Sequence, residues 1–211
     1  MPRSIEELSD ALSRDRVWRL KEISSVLKLA QVPKLGIVES EFYCRGGAAL
    51  FYAHWEGFIK RAATTFLQYV AYQRPALQEM ADFLLCSFVQ ERIADLAQRD
   101  RVLEVAGMLL RSSATKPKMN YKGVIDTESN LPSNVFRRIL EQVGVPVDEF
   151  ETRLRAIDSK ILANRHPIAH GAKGDVDIET LVEIGTLVIE LSAAFKDALE
   201  NAAVQKSYLR N

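Results

Sequence analysis

The sequence predicts an all-α fold: a bundle of four long helices, with short additional helices and a long loop inserted between the second and third. Three observations carry this. Apolar residues recur at steps of three and four along most of the chain. No β-type alternation of any length interrupts them. Start and stop signals punctuate the periodic stretches where helices need them. The 211 residues show no internal repeat and no linker, so residues 1–211 are read as a single domain.

The first helix is read over Ser4 to Ala30. Ser4 and Glu7 form a capping-box start. Ile5, Leu8, Leu12, Ile23 and Leu27 then recur at helical spacing, and Pro33 and Gly36 end the element. The second helix has the clearest stripe. Ala48, Tyr52, Trp55, Ile59, Ala62, Phe66 and Tyr69 step by fours and threes on one face of a helix from about Gly47 to Gln73. Arg45-Gly46-Gly47 lacks the G-K-[ST] ending of a phosphate loop and is read as the start of this helix. Pro75 breaks the chain or opens a new helix at its first position. That helix runs to Gln98 with Leu77, Met80, Leu84 and Phe88 on one face, and a short helix follows from about Arg101 to Leu110.

Ser112 to Ser133 has no periodicity and is read as a long irregular loop, punctuated by Lys116-Pro117, Gly123 and Asn130-Leu131-Pro132. A short amphipathic helix from about Ser133 to Val143 ends at Gly144 and Pro146. Asp148 and Glu151 give another start signal, and Phe150, Leu154, Ile157 and Ile161 carry the next stripe. The final helix runs from about Asp177 to Ala203 on Ile178, Leu181, Val188, Phe195 and Leu199. Trp18 and Trp55 are read as core or interface anchors.

Composition narrows the function. Lys+Arg 28 against Asp+Glu 28 gives a formal net charge of zero, which argues against nucleic-acid binding through a global positive field and leaves a local basic patch as the route. Cys44 and Cys86 lie far apart, with no C-x-x-C and no histidine at ligand spacing, so neither a zinc site nor a disulfide framework is expected. Both thiols are read as reduced and buried in a cytoplasmic protein. No metal and no cofactor is expected. No stretch approaches the ~18 apolar residues that span a bilayer, and Glu6 and Glu7 stand where a signal peptide needs an apolar run.

The chemistry-bearing stretch is Asn164-Arg165-His166-Pro167-Ile168-Ala169-His170-Gly171. Arg165 follows Ile161 by four and closes an apolar stripe with a charge. Pro167 disfavours helix at His166, so the helix is expected to stop there, leaving His170 on the following turn. An arginine that holds a phosphate oxygen and an imidazole that moves a proton near neutral pH could cleave RNA without a metal. The imidazole would take the 2′-hydroxyl proton, the oxygen would attack phosphorus, and the arginine would steady the phosphorane. From spacing alone a second reading stands beside this: an arginine complementing a helix C-terminus and a histidine satisfied in a turn. A metal site on His166 and His170 is disfavoured, because Pro167 breaks the spacing and no carboxylate completes it.

Arg165 through His170 resembles the R-x4-6-H signature of the HEPN superfamily, all-α domains many of which are metal-independent endoribonucleases. Tyr52-Ala53-His54-Trp55-Glu56-Gly57-Phe58-Ile59-Lys60 is similar to the second-helix signature of its MAE-type subgroup, close to the RiboL-PSP-HEPN group, and Asn130-Leu131-Pro132 through Gly144 is similar to that subgroup's inserted segment. The resemblance spans about Leu8 to Leu199. It implies a HEPN-like four-helix bundle with Arg165 and His170 as the catalytic pair, supported by Asn164 and His166. His166 stands where Asn is commoner. Some family toxins carry a modified tyrosine two positions after the histidine, and Ala172 stands there instead. The resemblance further implies an RNA substrate, a homodimer joining two motifs in one cleft, and a toxin, antiphage or stress-response role with an antitoxin or immunity protein as partner.

Two further features stay open. Glu56 is read either as orienting Arg165 or His170 through a charge-assisted hydrogen bond, or as a surface carboxylate paired with Lys60. Arg111, Lys116, Lys118, Tyr121 and Lys122 are read either as an RNA-binding loop with an interleaved aromatic or as a solvated loop. The rival to an enzyme is a non-catalytic helical module that binds a nucleotide, RNA or a protein.

Overall fold

The computed structural model describes residues 1–31, 36–93, 107, 114–121, 123–128 and 130–210. Helix α1 spans Ile5–Ala30, α2 Ile37–Gln73, α3 Asp82–Ile93 and α4 Ser133–Val143. A long rod follows, made of a 3-10 turn Val147–Phe150, α5 Glu151–Ala156, a π turn Ile157–Leu162 and α6 Ala163–Ala169. Helix α7, Ile178–Val204, completes the bundle. No strand occurs among the described residues, so the all-α architecture of four long elements stands as the periodicity predicts. The expected helix 101–110, the extension of α3 to 98 and the stop at Pro33 lie, Gly107 apart, outside the described residues.

Helix α1 begins as its capping signal predicts. Ser4 Oγ accepts the Glu7 N–H at 3.2 Å, but the Glu7 carboxylate turns to the Arg3 N–H at 2.8 Å. Helix α2 starts well before Gly47, which corrects the sequence reading. The glycine pair lies inside the helix because α1, α2 and α7 cross closely there. A Cβ on Gly47 would sit 2.8 Å from Val26 Cγ1 and 2.9 Å from Leu181 Cδ1. Arg74, at φ 49°, ends α2 before Pro75.

The stripe Leu77, Met80, Leu84 and Phe88 is buried as expected, yet it does not lie on one helix. Leu77–Glu79 is a 3-10 turn and α3 starts only at Asp82. The C-terminal segment takes the backbone groups a continuous helix would use: Ala81 N–H donates to Tyr208 O at 2.9 Å and Arg210 N–H to Glu79 O at 2.7 Å. Asp148 caps nothing, because the chain enters α5 already helical through its 3-10 turn. At α7 the cap is Asp177, which accepts the Thr180 N–H at 2.7 Å.

Four aromatic rings centre the core. Phe136 of α4 meets Trp55 of α2 at 4.9 Å, Phe150 at 5.3 Å and Phe195 of α7 at 5.7 Å, all edge to face. Trp55 is fully buried, whereas Trp18 is 44% exposed. Cys44 is buried, but Cys86 is exposed, so only one thiol follows the sequence reading. Among the described residues no helix is long and apolar enough to cross a membrane.

Candidate functional site

The rod that carries Arg165 departs from α-helical winding just before it. Through the π turn Ile157–Leu162 the Ala163 N–H reaches five residues back, to Asp158 O. Such wide turns recur at functional positions. Asp158 supplies a local reason. Its carboxylate accepts both the backbone N–H of Ser133, at 2.8 Å, and the Ser133 hydroxyl, so it caps the start of α4, where Pro132 offers no side-chain cap.

Past the π turn the helix does not stop at His166, correcting the sequence reading. Pro167 lies within α6, which continues to Ala169. Proline costs the helix its own N–H and crowds the preceding turn, but the bonds after it close the end: Ala172 N–H reaches Pro167 O at 2.9 Å and Gly171 N–H reaches Ile168 O at 3.2 Å. His170 is the C-cap, at φ −100°, and Gly171 at φ +74° turns the chain away.

Arg165 is half-buried, and its guanidinium carbon stands 4.6 Å above the centre of the Tyr52 ring on α2. Among the described residues no carboxylate forms an ion pair with it. Tyr52 is the centre of the site. Its hydroxyl donates to Asn130 Oδ1 at 3.0 Å and accepts the Leu131 N–H at 2.9 Å. One helical turn on, Glu56 Oε1 accepts the hydroxyl of buried Thr127 at 2.6 Å. Burial pushes the Tyr52 phenol pKa up, and Glu56 pushes the same way through hydrogen bonding and charge, against the smaller opposing pull of the Leu131 N–H and Arg165. The phenol therefore stays a protonated donor.

His166 and His170 are both exposed, with ring centroids 4.4 Å apart. They meet at a tilt of 57° four residues apart, whereas Arg165 and His170, five apart, diverge by about 140° around a helix. The structure thus gathers the two imidazoles together and sets Arg165 on Tyr52. Asn164 turns back on the backbone, Nδ2 donating to Lys160 O at 2.7 Å. Glu56 faces Thr127 and Tyr52 rather than Lys60. Lys116 and Lys118 are exposed, but Tyr121 packs against the core, and Lys122 lies outside the described residues. Tyr52, Thr127 and Asn130 were not expected at the site. The tyrosine was hidden in the apolar stripe of α2, and the loop residues carry no periodic signal.

The segment Gly174–Glu179, which leads from the turn after His170 into α7, forms one wall of an open cavity of about 610 Å³, whose other wall is the start of α2. Arg45 joins the two, donating to Lys173 O at 3.4 Å, and Glu41 lies 3.9 Å from both Arg45 and Lys173. Among the described residues no group of His, Cys, Asp and Glu side chains could hold a metal ion.

No curated protein and no solved structure matches the chain. A family model does, over residues 14–201, a span that takes in most of α1, the Tyr52–Glu56 turn, the loop pinned to it and the whole Arg165–His170 segment. With its all-α bundle and this arginine–histidine helix end, the chain belongs to the RiboL-PSP-HEPN family.

Proposed function

We propose that this chain is a metal-independent endoribonuclease of the HEPN type, acting on RNA as a homodimer in a toxin, antiphage or stress-response role. The observation that carries the reading is the Arg165 guanidinium, supported on the Tyr52 ring with no carboxylate partner among the described residues, at the same helix end as two exposed imidazoles. A guanidinium held this way keeps its N–H donors available for non-bridging phosphate oxygens.

In this mechanism His170 takes the proton of a 2′-hydroxyl, with His166 beside it to share the charge. The 2′-oxygen forms a new bond to the adjacent phosphorus, and Arg165 neutralises the charge that builds on the phosphorane. The bond from phosphorus to the 5′-oxygen breaks, and an imidazolium returns a proton to that oxygen. A 2′,3′-cyclic phosphate and a 5′-hydroxyl result. The divergence of Arg165 and His170 within one chain is the reason the reading includes a second copy, whose motif completes the cleft. An antitoxin or immunity protein would act by covering that cleft.

The same divergence favours a second reading, a non-catalytic RNA- or protein-binding module in which Arg165 only braces Tyr52. Cleavage of RNA in excess chelator separates the two. Arg165→Ala is expected to slow cleavage roughly 100-fold or more, and His170→Ala by a similar factor, both with unchanged thermal stability. Equal cleavage by wild type and both variants would remove this mechanism, and RNA that wild type binds without cutting would leave the module.

A further inference from the structure

Helix α1 presents Trp18 to solvent between two shallow grooves. One, of about 450 Å³, lies between α1 and α2 and is lined by Arg19, Lys60 and Arg61 over Gly57. The other, of about 480 Å³, runs along α1 past Lys21 and Lys28. On the helix wheel Trp18 falls between the two linings, at about 100° per residue. Neither lining includes a carboxylate. Two acids lie on the same face, Asp15 mostly covered and Glu22 exposed. Asp15 pairs with Arg19 at 3.0 Å and with Arg61 at 3.2 Å, and Glu22 Oε2 lies 3.0 Å from His54 Nε2. Lys21, Lys28 and Lys60 form no ion pair among the described residues and are exposed. Five cations against two acids make this face positive in a chain whose formal net charge is zero.

The Trp18 ring is held rather than loose. The Arg19 guanidinium covers it, 4.5 Å from the ring centre, His54 meets its edge at 5.3 Å, and Nε1 donates to Asp15 Oδ1 at 3.3 Å. Gly57 makes this possible, because a Cβ there would come within 2.9 Å of Arg19 Nη1. An anchored indole that is nevertheless 44% exposed, flanked by exposed lysines, is the combination that binds an unpaired strand: the ring stacks a base and the cations follow the phosphates. Gly57 and Arg61 follow Tyr52 by five and nine residues, about 140–180° around α2, so this groove is a separate surface on the far side of the helix from the Tyr52–Arg165 site.

We propose that the Trp18 face of α1 and α2 is a binding track for single-stranded RNA. The track rests on the reading of this chain as an RNA enzyme, but its test does not depend on cleavage. The probe is a short fluorescein-labelled 2′-O-methyl oligouridine, which cannot be cut by 2′-hydroxyl attack. Wild type is expected to bind it with a rise in anisotropy and with quenching of indole fluorescence, which reports Trp18 because Trp55 is buried. Trp18→Ala should weaken binding roughly tenfold or more, and Trp18→Phe should restore part of the loss. Lys28→Glu and Lys60→Glu, both on exposed positions, should weaken binding and lower its salt dependence.

The same binding by wild type and all four variants would overturn the track, as would a duplex of the same chemistry binding as well as the single strand. A loss of binding that accompanies a change in oligomeric state by light scattering would overturn it too, by making Trp18 an interface residue. If the probe binds through Trp18 and the natural 2′-hydroxyl RNA is still not cut, the nuclease reading fails and the track stands.

Discussion

On α2 the Tyr52 ring supports the Arg165 guanidinium while its hydroxyl pins Asn130 and Leu131, so substitutions there separate two roles. Tyr52→Phe keeps the ring and leaves the buried Leu131 N–H without an acceptor. It should cost about 1–3 kcal/mol of stability with little change in kcat. Tyr52→Leu removes the platform as well, and misplacing the arginine should lower kcat by roughly 10- to 100-fold with KM less affected. Thermal denaturation beside steady-state cleavage reads both, and equal kcat in the two variants would show that the ring does not position Arg165. At this scale the sequence exposed Arg165, His166 and His170, because charged groups at a helix end stand out against an apolar stripe. It concealed Tyr52, whose spacing marks it as one more core residue, and Trp18, whose size suggested burial while its position left it 44% exposed.

Among the elements, α2 shows how the same residue type at neighbouring positions can do opposite things. A Cβ at Gly47 would press on Val26 and Leu181, whereas one at Gly46 would meet nothing within 4 Å. Gly46→Ala should therefore raise stability by about 0.5–1 kcal/mol through backbone entropy alone. Gly47→Ala should lower it, because overpacking of about 1–3 kcal/mol outweighs that gain. Thermal melts of the two variants that shift in the same direction would refute the close three-helix crossing. Locally, a glycine pair in sequence looks like a helix start, and only the approach of α1 and α7 makes it an interior contact. The break between Leu77 and Asp82 was hidden for a related reason. It is imposed by residues 208–210, more than a hundred positions away, while the stripe that it interrupts remains buried.

For the molecule as a whole, one end of the bundle is unusually apolar at its surface. Ile37, Val38 and Phe42 are 81%, 77% and 66% exposed, and Ile37 shares with Ile178 the cavity beside the turn that follows His170. A second copy seated there would bring its own Arg165–His170 segment to the same end and cover the patch. Phe42→Asp is accordingly expected to shift the protein from dimer to monomer in sedimentation and to lower RNA cleavage with it. A monomeric wild type, or a variant that stays dimeric and fully active, would remove the shared cleft. Among the described residues the burial of most of the stripes followed from periodicity, since the demand to cover an apolar face is written locally. Which helix ends converge depends on tertiary crossings that no local window records.

The carboxylate that Asp158 lends to Ser133 makes the wide turn of the rod and the first residue of α4 a single joint. Six residues lie between Asp158 and Arg165 in the sequence, and that length is fixed from both sides. One residue inserted between them would swing the guanidinium by about 100° off the Tyr52 ring, and one residue removed would swing it the other way. Insertions elsewhere in the rod, upstream of Asp158, could be absorbed by re-registering the helix, but this interval tolerates substitution and not a change of length.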